Sequence, residues 1–198
     1  MGDKAVFNNR RVAAAVRTQE DFLAALDSSV DVIFLLYSNI LTVGEHIQKS
    51  HDAGKKVFVH MDFTEGIGKD RAGLQYLKGL GADGILTTKT SMIRPAKEAG
   101  LITVQRFFIL DSHSVDTALD SIRIAKPDVV EIMPGVVVKK IKEFAEKASM
   151  PIIAGGLVET AEEVRAALEA GANVVVAGSA VFKNDIRENV KAFLEKMK

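Results

Sequence analysis

Eight short runs rich in β-branched residues recur along the 198-residue chain, each followed by a stretch with helical periodicity or helix-boundary residues. The runs are Val12–Val16, Val32–Leu36, Val57–Met61, Gly84–Thr87, Ile102–Gln105, Val129–Met133, Ile152–Ala154 and Val174–Ala177. Most lack the polar alternation of a half-exposed strand, which predicts burial on both faces, as in a parallel sheet. Parallel neighbours need a crossover, and the intervening stretches supply it. Val115, Ala118, Leu119 and Ile122 fall at i, i+3, i+4 and i+7, as do Val164, Ala167, Leu168 and Gly171. Ile186, Val190, Phe193, Leu194 and Met197 make the last stretch amphipathic. Eight such units predict an α/β fold, a compact (β/α)8 TIM barrel forming one domain over residues 1–198. About 25 residues per unit is the small end for this architecture and leaves little room for insertions. A doubly wound open sheet is the alternative. The first βα turn has no G-x-G-x-x-G, so a dinucleotide site has little support.

Helix boundaries are marked by side-chain chemistry. Thr42-Val43-Gly44-Glu45 and Thr160-Ala161-Glu162-Glu163 have the spacing of capping boxes, and Thr18-Gln19-Glu20-Asp21 is a weaker one. Gly54, Gly81, Gly100 and Gly171 stand just before the next strand, where a left-handed residue ends a helix. Lys126-Pro127-Asp128 does the same job with proline. His46 and His51 fall on a helix and read as solvated; His113 is ambiguous.

Charge and composition narrow the function classes. Lys plus Arg equals Asp plus Glu at 26 each, so the global balance carries no nucleic-acid footprint. Two local clusters stand out. Lys139, Lys140, Lys142 and Lys147 lie opposite the apolar Ile141, Phe144 and Ala148, and Arg10 and Arg11 are adjacent. Each is an RNA-binding candidate, with a solvated face as the alternative. The absence of cysteine removes disulfides, thiolate metal sites and a cysteine nucleophile. The apolar run Val32–Tyr37 is too short to span a bilayer, and the first six residues lack a secretory core. The expectation is a cytoplasmic protein with no membrane partner, metal or cofactor. A homo-oligomer is left open.

Two glycine pairs end consecutive strands: Gly155-Gly156 after the seventh, and Gly178 with Ser179 after the eighth. Glycine lets backbone N–H groups approach an anion, and these two loops commonly bind phosphate in (β/α)8 barrels. Tight strand-to-helix turns are the other reading. At the remaining strand ends stand His60, Asp62, Glu65, Lys69, Asp70, Lys89, Arg106 and Glu131. His60, Asp62, Glu65, Lys69 and Asp70 have acid–base chemistry, and Asp62 and Glu65 could hold a hard cation. Lys89 suits a bound anion or, if desolvated, a Schiff base. Arg106 offers a planar fork for phosphate or carboxylate. Glu131, flanked by Val130 and Ile132, needs a partner if it points inward, because an unpaired buried charge is costly. H-E-x-x-H, G-x-S-x-G and Walker A motifs are absent.

Several segments together resemble one family. They are Val57-Phe58-Val59-His60-Met61-Asp62, Glu65-Gly66-Ile67-Gly68-Lys69-Asp70, Thr87-Thr88-Lys89, Gln105-Arg106, and Glu131-Ile132-Met133-Pro134-Gly135. In this order, and continuing into Ala154-Gly155-Gly156, the chain resembles the glycerol uptake operon antiterminator regulatory proteins, also called glycerol-3-phosphate-responsive antiterminators. The likeness covers nearly the whole chain. It implies a regulator, without catalytic residues, that senses glycerol 3-phosphate or a similar small phosphate and acts on leader mRNA in glycerol metabolism. It implies ligand contacts from His60, Asp62, Glu65, Lys89, Arg106, Glu131, Gly155, Gly156, Gly178 and Ser179. A small isomerase, lyase or synthase acting on a phosphorylated sugar or polyol is the alternative, since this fold hosts many functions.

Overall fold

The computed structural model of the chain describes residues 11–178 together with Phe7, Glu188 and Glu195. Strands and helices alternate: β1 (Arg11–Val16), α1 (Gln19–Leu26), β2 (Val32–Leu35), β3 (Ser38–Asn39), α2 (Val43–Asp52), β4 (Lys56–His60), β5 (Thr64–Glu65), α3 (Arg71–Gly79) and β6 (Gly84–Thr87). They continue as α4 (Thr90–Glu98), β7 (Ile102–Phe108), α5 (Ser112–Ala125), β8 (Val129–Met133), α6 (Val138–Lys147), β9 (Ile152–Gly155), α7 (Ala161–Glu169) and β10 (Val174–Ala177). Eight strands close in the order β1-β2-β4-β6-β7-β8-β9-β10, with β10 returning to β1 and every neighbour parallel. This is a TIM barrel and not an open sheet. The short β3 and β5 form a separate parallel ladder, too brief for any periodicity to announce it. The amphipathic stretch from Ile186 to Met197 lies outside the described residues apart from Glu188 and Glu195.

The twofold period of a strand sorts the apolar residues into two cores. Ala13, Ala15, Val32, Phe34, Phe58, Leu86, Ile102, Val104, Val129, Ile153, Val174 and Val176 fill the barrel, and Phe7 packs among them. Their strand neighbours, including Val12, Ala14, Ile33, Val57, Val59, Ile85, Val130, Ala154 and Val175, pack outward against the helices. Each helix contributes one buried stripe, such as Val164, Ala167 and Leu168 of α7. Extending the inward set by two residues along each strand reaches Arg17, Leu36, His60, Thr88, Arg106, Glu131, Gly155 and Gly178. The same parity that fills the barrel therefore carries a polar layer to its carboxyl end.

Local chemistry departs from expectation in three places. Thr18 and Thr160 make full capping boxes with Asp21 and Glu163, but Thr42 caps nothing through its side chain. Its hydroxyl is drawn instead to Asn39, which also accepts the Leu41 and Thr42 amides. The stop before β8 is made by Lys126 itself, in the left-handed region at φ 51. Its carbonyl accepts Lys97 Nζ at 2.7 Å. His46 is buried and not solvated: Val43, His46, Ile47 and Ser50 form the inward stripe of α2. His51 is exposed, in line with expectation, and pairs with Asp83.

Gly84 shows how tightly the interior is filled. A Cβ there would stand 2.5 Å from the Phe58 ring and meet the Ile102 carbonyl. Backbone cannot yield as a flexible side chain can. Gly84→Ala is expected to lower unfolding stability by about 1–3 kcal/mol, as core overpacking does. A denaturant midpoint equal to wild type would show that the Phe58 layer relaxes.

Candidate functional site

β7 and β8 run side by side with Arg106 directly opposite Glu131. Both point inward and both are almost fully buried, at 6% and 1% side-chain exposure. Arg106 Nε donates to Glu131 Oε2 at 2.6 Å, and Nη2 to Oε1 at 3.3 Å, a two-pronged pair. Arg106 Nη1 lies 3.1 Å from Nε2 of His60, at the end of β4. A guanidinium only donates, so Nε2 accepts and the ring proton sits on Nδ1. That Nδ1 is buried and has no partner among the described residues. Burial, and next the Arg106 charge, push the His60 pKa down to about 4 against the pull of Asp62. The imidazole is therefore neutral near pH 7.

Arg106 and Glu131 form part of the wall of a cavity of about 130 Å³ at the carboxyl end of the barrel, with His60 behind Arg106 and not itself in the lining. Arg106, Glu131 and Met133 line it on one side, and Arg17, Leu36 and Gly178 on the other. The loop Gly156–Leu157–Val158–Glu159 closes it. Gly156 (φ 76) and Leu157 (φ 60) are both left-handed. That backbone is unfavourable for leucine by about 1–3 kcal/mol, and here the strain sits at the cavity mouth. The volume is below the 300–1,000 Å³ usual for drug-sized ligands. Among the described residues, hydrogen bonds engage three of the five Arg106 N–H donors, which leaves two for a ligand.

Some expected residues meet here and others do not. His60, Arg106 and Glu131 form the cluster, and Gly156 and Gly178 line the cavity; Ser179 lies outside the described residues. Gly155 does not line it. Its missing Cβ makes room for the Glu131 carboxylate, and its carbonyl accepts the Gly135 amide at 2.6 Å. Asp62 is turned toward the end of β6. It accepts from Thr87 Oγ1, Thr88 N and Thr88 Oγ1 at 2.7–2.8 Å. Burial raises its pKa, but these bonds together outweigh it and hold the carboxyl below the usual range. Lys69 donates to the Asp62 carbonyl, and Asp70 caps α3. Lys89 is exposed at the N-cap of α4, and Glu65 lies on β5 beside a second pocket. Among the described residues no three His, Asp or Glu side chains gather as metal ligands.

Arg17 was missed by the sequence reading, although the signal existed: it directly follows β1, where the parity of Ala13 and Ala15 continues. Of the cationic candidates, Arg10 and the Arg11 side chain lie outside the described residues. Lys139 is exposed in the first turn of α6. Lys140 is held by Glu143, which also pairs with Lys147, and these two bonds pull the Glu143 pKa down to about 2.

Comparison with known proteins bears on this arrangement. Residues 12–181 match the family model described as glycerol-3-phosphate responsive antiterminator. The chain belongs to this family. It is 38% identical over 161 residues to the YgcP protein of Escherichia coli K12, covering 81% of this chain and 84% of that one. The crystal structure of the glycerol uptake operon antiterminator regulatory protein from Listeria monocytogenes superposes with a TM-score of 0.82 at 28% identity, covering 87% and 94% of the two chains. A glycerol uptake operon antiterminator-related protein from Thermotoga maritima gives 0.78 at 36%, covering 87% and 97%. Among the described residues no helix is long and apolar enough to cross a membrane.

The buried His60 makes the site sensitive to acid. Its folded pKa of about 4 lies below the ordinary 6.5, so the unfolded chain binds more protons between these values. Stability is therefore complete above pH 6.5 and falls as pH drops toward 4. The loss is at most about 1.4 kcal/mol per pH unit and about 3 kcal/mol in total. His60→Gln should flatten this part of the denaturant-derived stability profile. A residual slope is expected, because burial lowers the pKa of His46 as well. An unchanged profile would place the His60 pKa near its ordinary value.

Proposed function

We propose that the protein senses glycerol 3-phosphate, or a polyol phosphate of similar size, at the carboxyl end of the barrel and regulates antitermination by binding leader mRNA. The observation that carries the reading is the small cavity walled by Arg17, Arg106 and two glycine turns, in a chain of this family. The phosphate is assigned to the amides of Gly156–Val158 and Gly178, with Ser179 next in sequence, and to the two arginines. The polyol end is assigned to Glu131, which accepts hydroxyl protons, and to the Nδ1–H of His60. Asp62 and Gly155 act one step back, holding the β6 exit and seating Glu131. Lys89 and Glu65 would bear on the ligand only through their loops.

The protonation states support regulation over catalysis. A general acid or base works best with a pKa near the operating pH. Here the carboxylate is paired, the arginine is permanently charged and the histidine is pushed to about 4.

Among the described residues nothing lies within 4 Å of a Cβ added at Gly178. Gly178→Val should keep the fold and weaken glycerol 3-phosphate binding at least tenfold by calorimetry, about 1.4 kcal/mol. Wild-type affinity in this variant would remove the phosphate from the β10 turn.

The regulatory reading requires glycerol 3-phosphate to change leader-RNA affinity, and RNA to change ligand affinity by the same factor. Lys139 is an exposed cation beside the rim, whereas Lys140 is neutralised by Glu143. Changing both to Ala should weaken RNA binding across sequences. It should flatten the salt slope by roughly 0.7, the contribution of one single-strand phosphate contact, and not twice that. Anisotropy titrations between 50 and 200 mM salt (the range over which such slopes are commonly read) measure it. Turnover of a phosphorylated polyol without ligand-dependent RNA binding would support the enzyme alternative.

A further inference from the structure

A second pocket opens on the same end of the barrel, over β1, β2 and the β3–β5 ladder. Its volume is about 330 Å³, and its walls include Gln19, Tyr37, Asn39, His46, Phe63 and Glu65. Phe63 is 57% exposed, an expensive position for a phenyl ring. One face of that ring is stacked on His60, with centroids 4.2 Å apart and planes inclined by 24°. The opposite wall is stiffened by hydrogen bonds. Tyr37 Oη donates to Gln19 Oε1 at 2.9 Å, and His46 Nε2 lies 3.2 Å from both. Asn39 Oδ1 is committed to Leu41 and Thr42, which leaves the amide N–H groups as donors. Glu65 adds an acceptor.

This combination selects a class of ligand. A phosphate or carboxylate would meet Glu65, and among the described residues no lysine or arginine lines the pocket to offset it. A purely apolar molecule would leave Asn39 and Glu65 unanswered at the edge. A flat, neutral ring carrying both donors and acceptors satisfies the walls, and unpaired nucleobases are recognised in this way, by aromatic stacking and edge hydrogen bonds. We propose that this pocket takes one unstacked base of the leader RNA, stacked on Phe63 and bonded at its edge by Asn39 and Glu65. The inference rests on the RNA reading given above and gives it a location.

The placement also couples the two ligands. Leu36 lines both pockets, and Arg17, in the turn after β1, and Gln19, at the start of α1, face one pocket each. His60 touches Arg106 on the phosphate side and Phe63 on the base side. An anion that re-engages Arg106 therefore acts on the partner of the stacking ring.

Leader RNA binding is to be measured by anisotropy with saturating glycerol 3-phosphate, for wild type, Phe63→Ala, Phe63→Trp and Asn39→Ala. Phe63→Ala should weaken binding about tenfold, the loss of one base stack, without changing the salt slope. Phe63→Trp should restore it, and Asn39→Ala should weaken it severalfold. RNA carrying 5-bromouridine should cross-link to Phe63 or Tyr37 of the unaltered protein, a readout that no folding defect can mimic. Wild-type affinity in Phe63→Ala and Asn39→Ala, or cross-links only elsewhere, would overturn the pocket while leaving RNA regulation standing. Absence of RNA binding by the wild type would instead overturn the regulatory reading and this inference with it. Saturation by free nucleosides or mononucleotides that leaves RNA binding undisturbed would make this a small-molecule site and overturn the RNA assignment.

Discussion

The Arg106–Glu131 pair is the interaction on which the carboxyl end of this barrel is organised. Each charge leaves water at a cost of several kcal/mol, which only close geometry and further hydrogen bonds offset. Neighbouring parallel strands supply that geometry by placing the two residues directly opposite in register. The pair then dictates its surroundings. Gly155 must lack a side chain, because a Cβ would collide with the Glu131 carboxylate. Gly135 must also lack one, since its Cβ would stand 2.8 Å from the Gly155 amide. Its amide in turn bonds to the Gly155 and Gly156 carbonyls, fixing the loop that closes the cavity. Removing either charged partner would strand the other, a loss of about 3–5 kcal/mol in typical buried pairs.

This dependence changes the meaning of the glycine pattern. Gly155 and Gly156 look alike in sequence, yet they answer to different demands. The first makes space for a carboxylate inside the barrel. The second turns the chain in the left-handed region at the cavity mouth. The cavity proposed as the anion site is thus assembled around an internal charge pair that is electrically neutral as a unit, beside a neutral histidine. A dianionic ligand entering it gains from Arg17 and from the uncommitted donors of Arg106, against the nearby Glu131 charge. Binding there is a matter of geometry as much as of net charge.

Strand positions, barrel closure and much of the site were legible because they follow from local rules. The β-branched runs carried the strands to within about two residues at most ends, although β7 runs on to Phe108. Twofold parity would have added Arg17 and separated Arg106 from Gln105, whose side chain instead reaches Thr90 and Ser121 among the helices. His46 was legible too, since Val43, His46, Ile47 and Ser50 follow the helical period, but polarity suggested solvent. What sequence could not convey is contact between distant segments. Asp62 looked like a ligand contact because nothing local shows that three donors from residues 87 and 88 will surround it. Thr42 looked like a cap until Asn39 competed for its hydroxyl. Lys140 looked like a free cation, although its pairing with Glu143 at i+3 is visible in the sequence.

A barrel of this kind has little internal freedom with which to signal. Its interior is close-packed, from Phe7 through Phe58 to Phe34, and Gly84 leaves no slack beside the Phe58 ring. A ligand bound at the carboxyl end, as proposed, would therefore be reported by the rim itself. The rim has elements suited to that: a leucine held in a left-handed conformation, a two-residue ladder joining the β2 and β4 exits, and an exposed phenyl ring resting on a histidine that touches Arg106. Coupling across such short links needs only that the ligand favour one arrangement of these side chains over another, and a difference of 1–3 kcal/mol is typical of allosteric systems. The same close packing sets both pockets on one frame, with Leu36 as their common wall.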